Sequence, residues 1–147
     1  MGIRIVVGVD GSPDGQRALA WAVDQAAKQS AELVVVHAWD YPTLTYAPSL
    51  ASEKKASEVL TNSLAGVDTQ GVAVRSRLVE GRPVTALIRE SLEADMLVVG
   101  SRGRSGVAAV ILGSVSTACV HHASCPVVVV PPPRTVPVQR HFAEAQA

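Results

Sequence analysis

The sequence predicts an α/β protein: an open, doubly wound, five-stranded parallel sheet with helices on both faces. Three observations carry this expectation. Five short apolar runs rich in valine recur along the chain, and the stretches between them place apolar residues at helical spacing. Strands alternating with helices imply parallel pairing with right-handed crossovers. The third observation is compositional: hydrophobic residues make up 48% of the chain and aromatics only 3%, so the core must be built from aliphatic strands and small-residue helix faces.

The elements follow in order. Ile3 to Val9 is a nearly continuous apolar run, the pattern of a strand covered on both faces. Asp10 to Gly15 is dense in turn formers. From Gln16 to Ser30, Leu19, Ala22, Val23, Ala26 and Ala27 form one helical stripe. Leu33 to Trp39 reads as a second buried strand, and Asp40 to Ser52 as a loop holding Tyr41 and Tyr46. Glu53 to Leu64 gives a helix with Ala56, Val59, Leu60 and Leu64 on one face. Val72 to Leu78 alternates, with Arg75 and Arg77 on the polar side, as expected of a half-exposed strand at or near a sheet edge. After the turn Gly81-Arg82-Pro83, the next helical stripe is Val84, Leu87, Ile88, Ser91 and Leu92. Met96 to Val99 is a fourth strand, Ser114 to Ala123 a helix with Ser114 as a candidate N-cap, and Pro126 to Val130 the last strand. Residues 1–131 thus read as one domain, of the usual size of about 100–150 residues. Residues 132–147 read as a Pro-rich mobile tail.

Composition excludes several function classes. Thirteen Lys+Arg balance thirteen Asp+Glu, and five aromatics are too few for base stacking, so no nucleic-acid surface is expected. The balance conceals a split. Residues 1–95 carry nine basic against twelve acidic side chains, and residues 96–147 carry four against one. Two of those four, Arg102 and Arg104, lie in one glycine-rich segment, which leaves room for an anionic ligand. Two cysteines are too few for a disulfide framework. No secretory signal and no apolar stretch of about 18–20 residues is seen, so a soluble cytoplasmic chain without membrane contact is expected.

Open parallel sheets bind ligands outside the carboxyl ends of their strands, where the strand order switches. That places the interest at Asp10–Asp14, Ala38–Asp40 and Gly100–Ser116. The last segment reads Gly100-Ser101-Arg102-Gly103-Arg104-Ser105-Gly106, then six residues to Gly113-Ser114. Glycines admit close backbone approach, successive N–H groups form an anion nest, and the helix start beyond them favours negative charge. These are the ingredients of a phosphate site. The segment is neither a P-loop, since no Lys precedes Ser114, nor a dinucleotide fingerprint, since Gly8, Gly11 and Gly15 have the wrong spacing.

Gly100-x2-Gly103-x9-Gly113-Ser114 resembles the nucleotide-binding signature of the ATP-binding branch of universal stress proteins. Four further segments resemble that family's strands at similar spacing: Ile5 to Ser12, Leu33 to Ala38, Ala94 to Gly100 and Ser124 to Val130. Together they cover about residues 3–131. The resemblance implies a Rossmann-like strand order of 3-2-1-4-5 and ATP as ligand, with Mg2+ accompanying it. It implies that Asp10 takes the ribose hydroxyls and the Ala38 backbone reads the adenine edge. Gly100, Gly103, Gly113, Ser114 and Ser116 then hold the phosphates, with Arg102 adding charge beside them, and Val9 and Val115 wall the nucleoside. It also implies a homodimer formed through Val127 to Val130, an apolar edge with no guarding charge.

Other functions remain in view. An enzyme of the related adenine-nucleotide alpha-hydrolase-like fold, acting at the α-phosphate, would want a Ser-Gly-Gly-x-Asp-Ser turn after strand one. The turn here, Val9 to Asp14, matches it poorly. A dimer holding another adenine nucleotide such as cyclic AMP is the third reading. No catalytic residue is assigned, and ATP hydrolysis is expected to be slow at most. Cys119, His121, His122 and Cys125 are close in sequence but do not share one helix face, so no metal site is expected.

Overall fold

The computed structural model describes residues 2–40, 50–102 and 112–133. Its elements are β1 (Arg4–Gly8), α1 (Pro13–Gln29), β2 (Glu32–Trp39), α2 (Leu50–Ala65), β3 (Ala73–Glu80), α3 (Pro83–Ser91), β4 (Met96–Gly100), α4 (Ser114–His122) and β5 (Val127–Val130). The strands form one parallel sheet in the order β3-β2-β1-β4-β5. The chain therefore winds outward from β1 through β2 to β3, then returns to add β4 on the other side. The switch lies between β1 and β4.

Alternation along the strands divides the core into two layers. Ile5, Val7, Leu33, Val35 and Val98 face one side, where Leu19, Ala22 and Ala26 of α1 and Leu60 of α2 cover them. Val6, Val34, Val36, Leu97 and Val99 face the other side, against Leu87 of α3 and Cys119 of α4. Alanines on α1 let that helix lie close to the sheet. β1, with its central Ile5, Val6 and Val7 fully buried, runs through the middle.

Element boundaries shift in informative ways. α1 begins at Pro13, not at Gln16, and Ser12 is its N-cap, accepting from the Gly15 N–H. The Asp10–Gly15 cluster looks like a turn by composition, yet Pro13 at the first helical position and Asp14 beside it suit a helix start. The N-cap of α4 is Gly113, and Ser114 is its first helical residue, so Ser114 does not cap. Leu92 lies beyond α3 and is 68% exposed, so it does not share the buried stripe. β3 is an edge strand as expected, with Val74 and Leu78, and Val72 just before the strand, packed on the α1–α2 side. The tyrosines 41 and 46, Gly103, Arg104 and the tail from 134 lie outside the described residues.

Candidate functional site

The carboxyl ends of β1, β2 and β4 open onto a cleft of about 600 Å³. Nine of the ten residues singled out from sequence line it: Val9, Asp10, Ala38, Gly100, Arg102, Gly113, Ser114, Val115 and Ser116. The tenth, Gly103, lies outside the described residues.

The β1–α1 turn is the most tightly organised wall. Asp10 Oδ1 accepts from the Ser12 N–H at 2.9 Å and from the Ser12 hydroxyl. Ser12 Oγ in turn accepts from the Gly15 N–H at 3.1 Å. One hydroxyl thus caps α1 and aims the carboxylate. Gly11, at φ 81°, makes the turn possible. Gly15 makes room for it, since a Cβ there would stand 2.8 Å from Asp10 Oδ1. Beneath the turn, His37 Nδ1 lies 2.8 Å from the Val9 carbonyl. A carbonyl only accepts, so Nδ1 carries the proton. The buried ring is a strut between β2 and β1 and also lines the cleft.

The opposite wall is the end of β4 and the start of α4. A Cβ on Gly100 would lie 2.9 Å from the Asp14 backbone, so this glycine lets β4 abut the first turn of α1. Ser101 and Gly113 close the base of the intervening loop through Gly113 N–H to Ser101 O at 2.6 Å. The Ser116 hydroxyl is buried and lies 3.1 Å from both the Ser101 and Gly113 carbonyls. It fastens α4 to β4, and what this first turn offers the cleft is its backbone N–H groups and the exposed Ser114 side chain. Among the described residues no side chain caps the helix. Arg102 is not a lone cation either: its Nε donates to Asp14 Oδ2 at 3.0 Å.

The Universal stress protein family model matches residues 2–131. This chain belongs to the universal stress protein family. A universal stress protein of Mycobacterium tuberculosis is 39% identical over 130 residues, covering 85% of this chain and 44% of that protein. The chain thus spans less than half the length of the curated relatives it matches. Among solved structures, a universal stress protein in complex with cAMP is 28% identical with a TM-score of 0.70, over 88% of this chain and 97% of that one. A family member from Burkholderia pseudomallei is 32% identical with a TM-score of 0.67, over 88% and 96%.

Further residues that were not singled out from sequence belong to the cleft or its support, four of them notable. Gly15, Trp39 and Lys55 line it, and Asp14 holds Arg102. Asp14 and Trp39 fall inside the segments that fold logic marks, but nothing in their local pattern distinguishes them. Lys55 is reached only because α2 folds over the end of β2, and no sequence signal pairs it with the site. Trp39 adds an aromatic side chain to a cleft for which the resemblance implied the walls Val9 and Val115. Away from the cleft, burial pushes the Cys119 thiol up to about 11, with the nearby Cys125 adding to the effect. Cys125 is also raised, first by burial and then by Asp95. Among the described residues no group of His, Cys, Asp and Glu is placed to hold a metal, and no helix is long and apolar enough to cross a membrane.

Proposed function

We propose that this chain is a regulatory adenine-nucleotide-binding protein whose ligand is ATP, accompanied by Mg2+, with no more than slow hydrolysis. The observation that carries the reading is the pairing of two walls across one cleft at the strand-order switch. One wall presents an aimed carboxylate, Asp10, suited to a ribose diol. The other presents the first turn of α4, opened by the N-cap Gly113, suited to phosphate. The volume lies within the range of about 300–1,000 Å³ usual for small-ligand sites. The relative solved with cAMP supports an adenine nucleotide and also favours a second reading, in which the ligand is the cyclic monophosphate.

Titration calorimetry with ATP plus Mg2+, AMP and cAMP tests this, with Trp39 fluorescence as a parallel signal. Trp21 packs against the core on α1, so a ligand-dependent change reports the cleft. Saturable ATP binding tighter than cAMP binding supports the reading. The reverse order selects cyclic nucleotide, and absence of heat from all three at about 100 µM, where a −5.5 kcal/mol interaction would register, sinks both.

We also propose a homodimer joined through β5, the sheet's second edge, whose four valines are only half-buried in the single chain. Light scattering at micromolar concentration should give twice the chain mass, and Val129→Lys should shift it toward the monomer. A monomer mass for the unaltered chain overturns this part.

A further inference from the structure

Asp14 is the only carboxylate fully buried among the described residues, at 5% exposed. A buried carboxylate is costly unless paired and hydrogen-bonded. Here both oxygens are taken by guanidinium groups. Arg17, one turn along α1, binds Oδ1, and Arg102, beyond β4, donates from Nε to Oδ2 at 3.0 Å. Arg17 alone would neutralise the carboxylate. The second partner comes from 88 residues away, and the backbone leading to it is anchored. Gly100 brings β4 against the Asp14 backbone, Ser101 N–H donates to Val130 O at 3.1 Å, and Gly113 N–H donates back to Ser101 O. Arg102 is therefore held at the point where the chain leaves β4, a quarter exposed, on the wall of the cleft.

A guanidinium is a rigid fork with five donors. Asp14 occupies the Nε edge, which orients the other end of the fork. The three side chains together carry one net positive charge, set beside the start of α4.

We propose that Asp14 is a positioning residue for the ligand's phosphate: by gripping the Nε edge of Arg102 it fixes the guanidinium against the cleft wall, so that ligands are graded by their phosphate charge. This rests on the adenine-nucleotide reading above. A purely structural Asp14, joining α1 to β4, would affect every ligand alike. A positioning Asp14 affects phosphorylated ligands and spares the nucleoside.

The experiment compares AMP with adenosine, by calorimetry on the full chain, for the unaltered protein, Asp14→Asn, Arg102→Lys and the double variant. Each single variant should weaken AMP about tenfold, the scale of one lost charge-assisted hydrogen bond. Adenosine should stay within about twofold, and the double variant should be no worse than the weaker single, since both changes break one device. Parallel loss of adenosine affinity, multiplied losses in the double variant, or tighter AMP binding by Asp14→Asn overturns the proposal. If Asp14→Asn does not fold, Arg102→Lys decides: it keeps the charge and loses the fork, so unchanged AMP affinity overturns it. An unaltered chain that binds AMP no better than adenosine also overturns it. An unaltered chain that binds neither overturns the nucleotide reading itself, and the proposal with it.

Discussion

The two ends of the sheet treat polar groups in opposite ways. At the amino ends, charges close on one another. Arg4 N–H donates to Asp95 at 2.8 Å, Asp95 N–H donates to the Arg4 carbonyl at 2.9 Å, and Glu32 accepts from both Arg4 and Arg75. At the carboxyl ends, glycines and the short β1–α1 turn hold backbone and side-chain groups around a cleft. The difference follows from connectivity. At the amino ends the strands are entered by tight returns from helices, such as α1 to β2 through Ser30 and Ala31. At the carboxyl ends the chain leaves β1 and β4 in opposite directions, and among the described residues a cleft lies between them. On the proposed function one end serves stability and the other recognition, and substitutions should separate the two.

The largest separation is expected from Gly113→Val. Gly113 sits at φ −75°, ψ 172°, a conformation open to any residue, so the fold should persist. The isopropyl group would stand at the mouth of the α4 first turn. Nucleotide affinity should fall at least about a hundredfold, or ~2.7 kcal/mol. The thermal midpoint should move by no more than about 2 °C, below the shift that 1 kcal/mol produces in a domain of this size. Retained affinity would place the phosphates elsewhere.

Next in size is an effect of the interior that lies between the ends. Cys119 is fully buried, and its thiol is raised to about 11. The unfolded thiol ionises near 9, so the folded state binds its proton more tightly. That contribution is complete below about pH 9 and is lost as pH climbs toward about 11. Denaturant midpoints should thus fall across pH 9–11, and Cys119→Ala should flatten the slope while lowering stability overall. An unchanged slope would mean that other groups set the alkaline limit.

The contrast between the ends was only partly legible in the sequence. The sheet was legible because its strands are covered on both faces and so read as unbroken aliphatic runs, Ile5–Val7 and Met96–Val99 among them. The strand order came with the family resemblance, and the location of the cleft from the switch rule. The start of α1 was hidden because Pro13, Asp14 and Gly15 suit a turn as well as a first helical turn. Arg102 was legible as a nearby cation, but its partner was not, since Asp14 meets it only when the first crossover brings α1 across β4. Trp39 was not legible as a site residue, because it closes an apolar strand run and reads there as core.

Ser12 links the two roles and should show a smaller, mixed effect. Its hydroxyl caps α1 and holds Asp10, so Ser12→Ala removes both contacts. Loss of a serine cap costs about 0.5–2 kcal/mol, measurable by chemical denaturation. Nucleotide affinity should fall several-fold as well, and Ser12→Thr, which keeps the hydroxyl, should restore both. A stability loss with unaltered affinity would mean that Asp10 holds its place without Ser12.

The smallest effect is expected at the amino ends, where it tests the comparison from the other side. Glu32 is about a quarter exposed on its side chain and pairs with Arg4 and Arg75, which are themselves partly in water. Such pairs are worth about 0–1 kcal/mol and weaken with salt. Glu32→Gln should therefore lower stability by less than about 1 kcal/mol, and added salt should shrink the difference. Nucleotide affinity should stay the same, because β2 runs its full length, Glu32 to Trp39, between this residue and the cleft. A change in affinity would mean that the strand transmits a shift from one end of the sheet to the other, and the division of roles between the ends would fail.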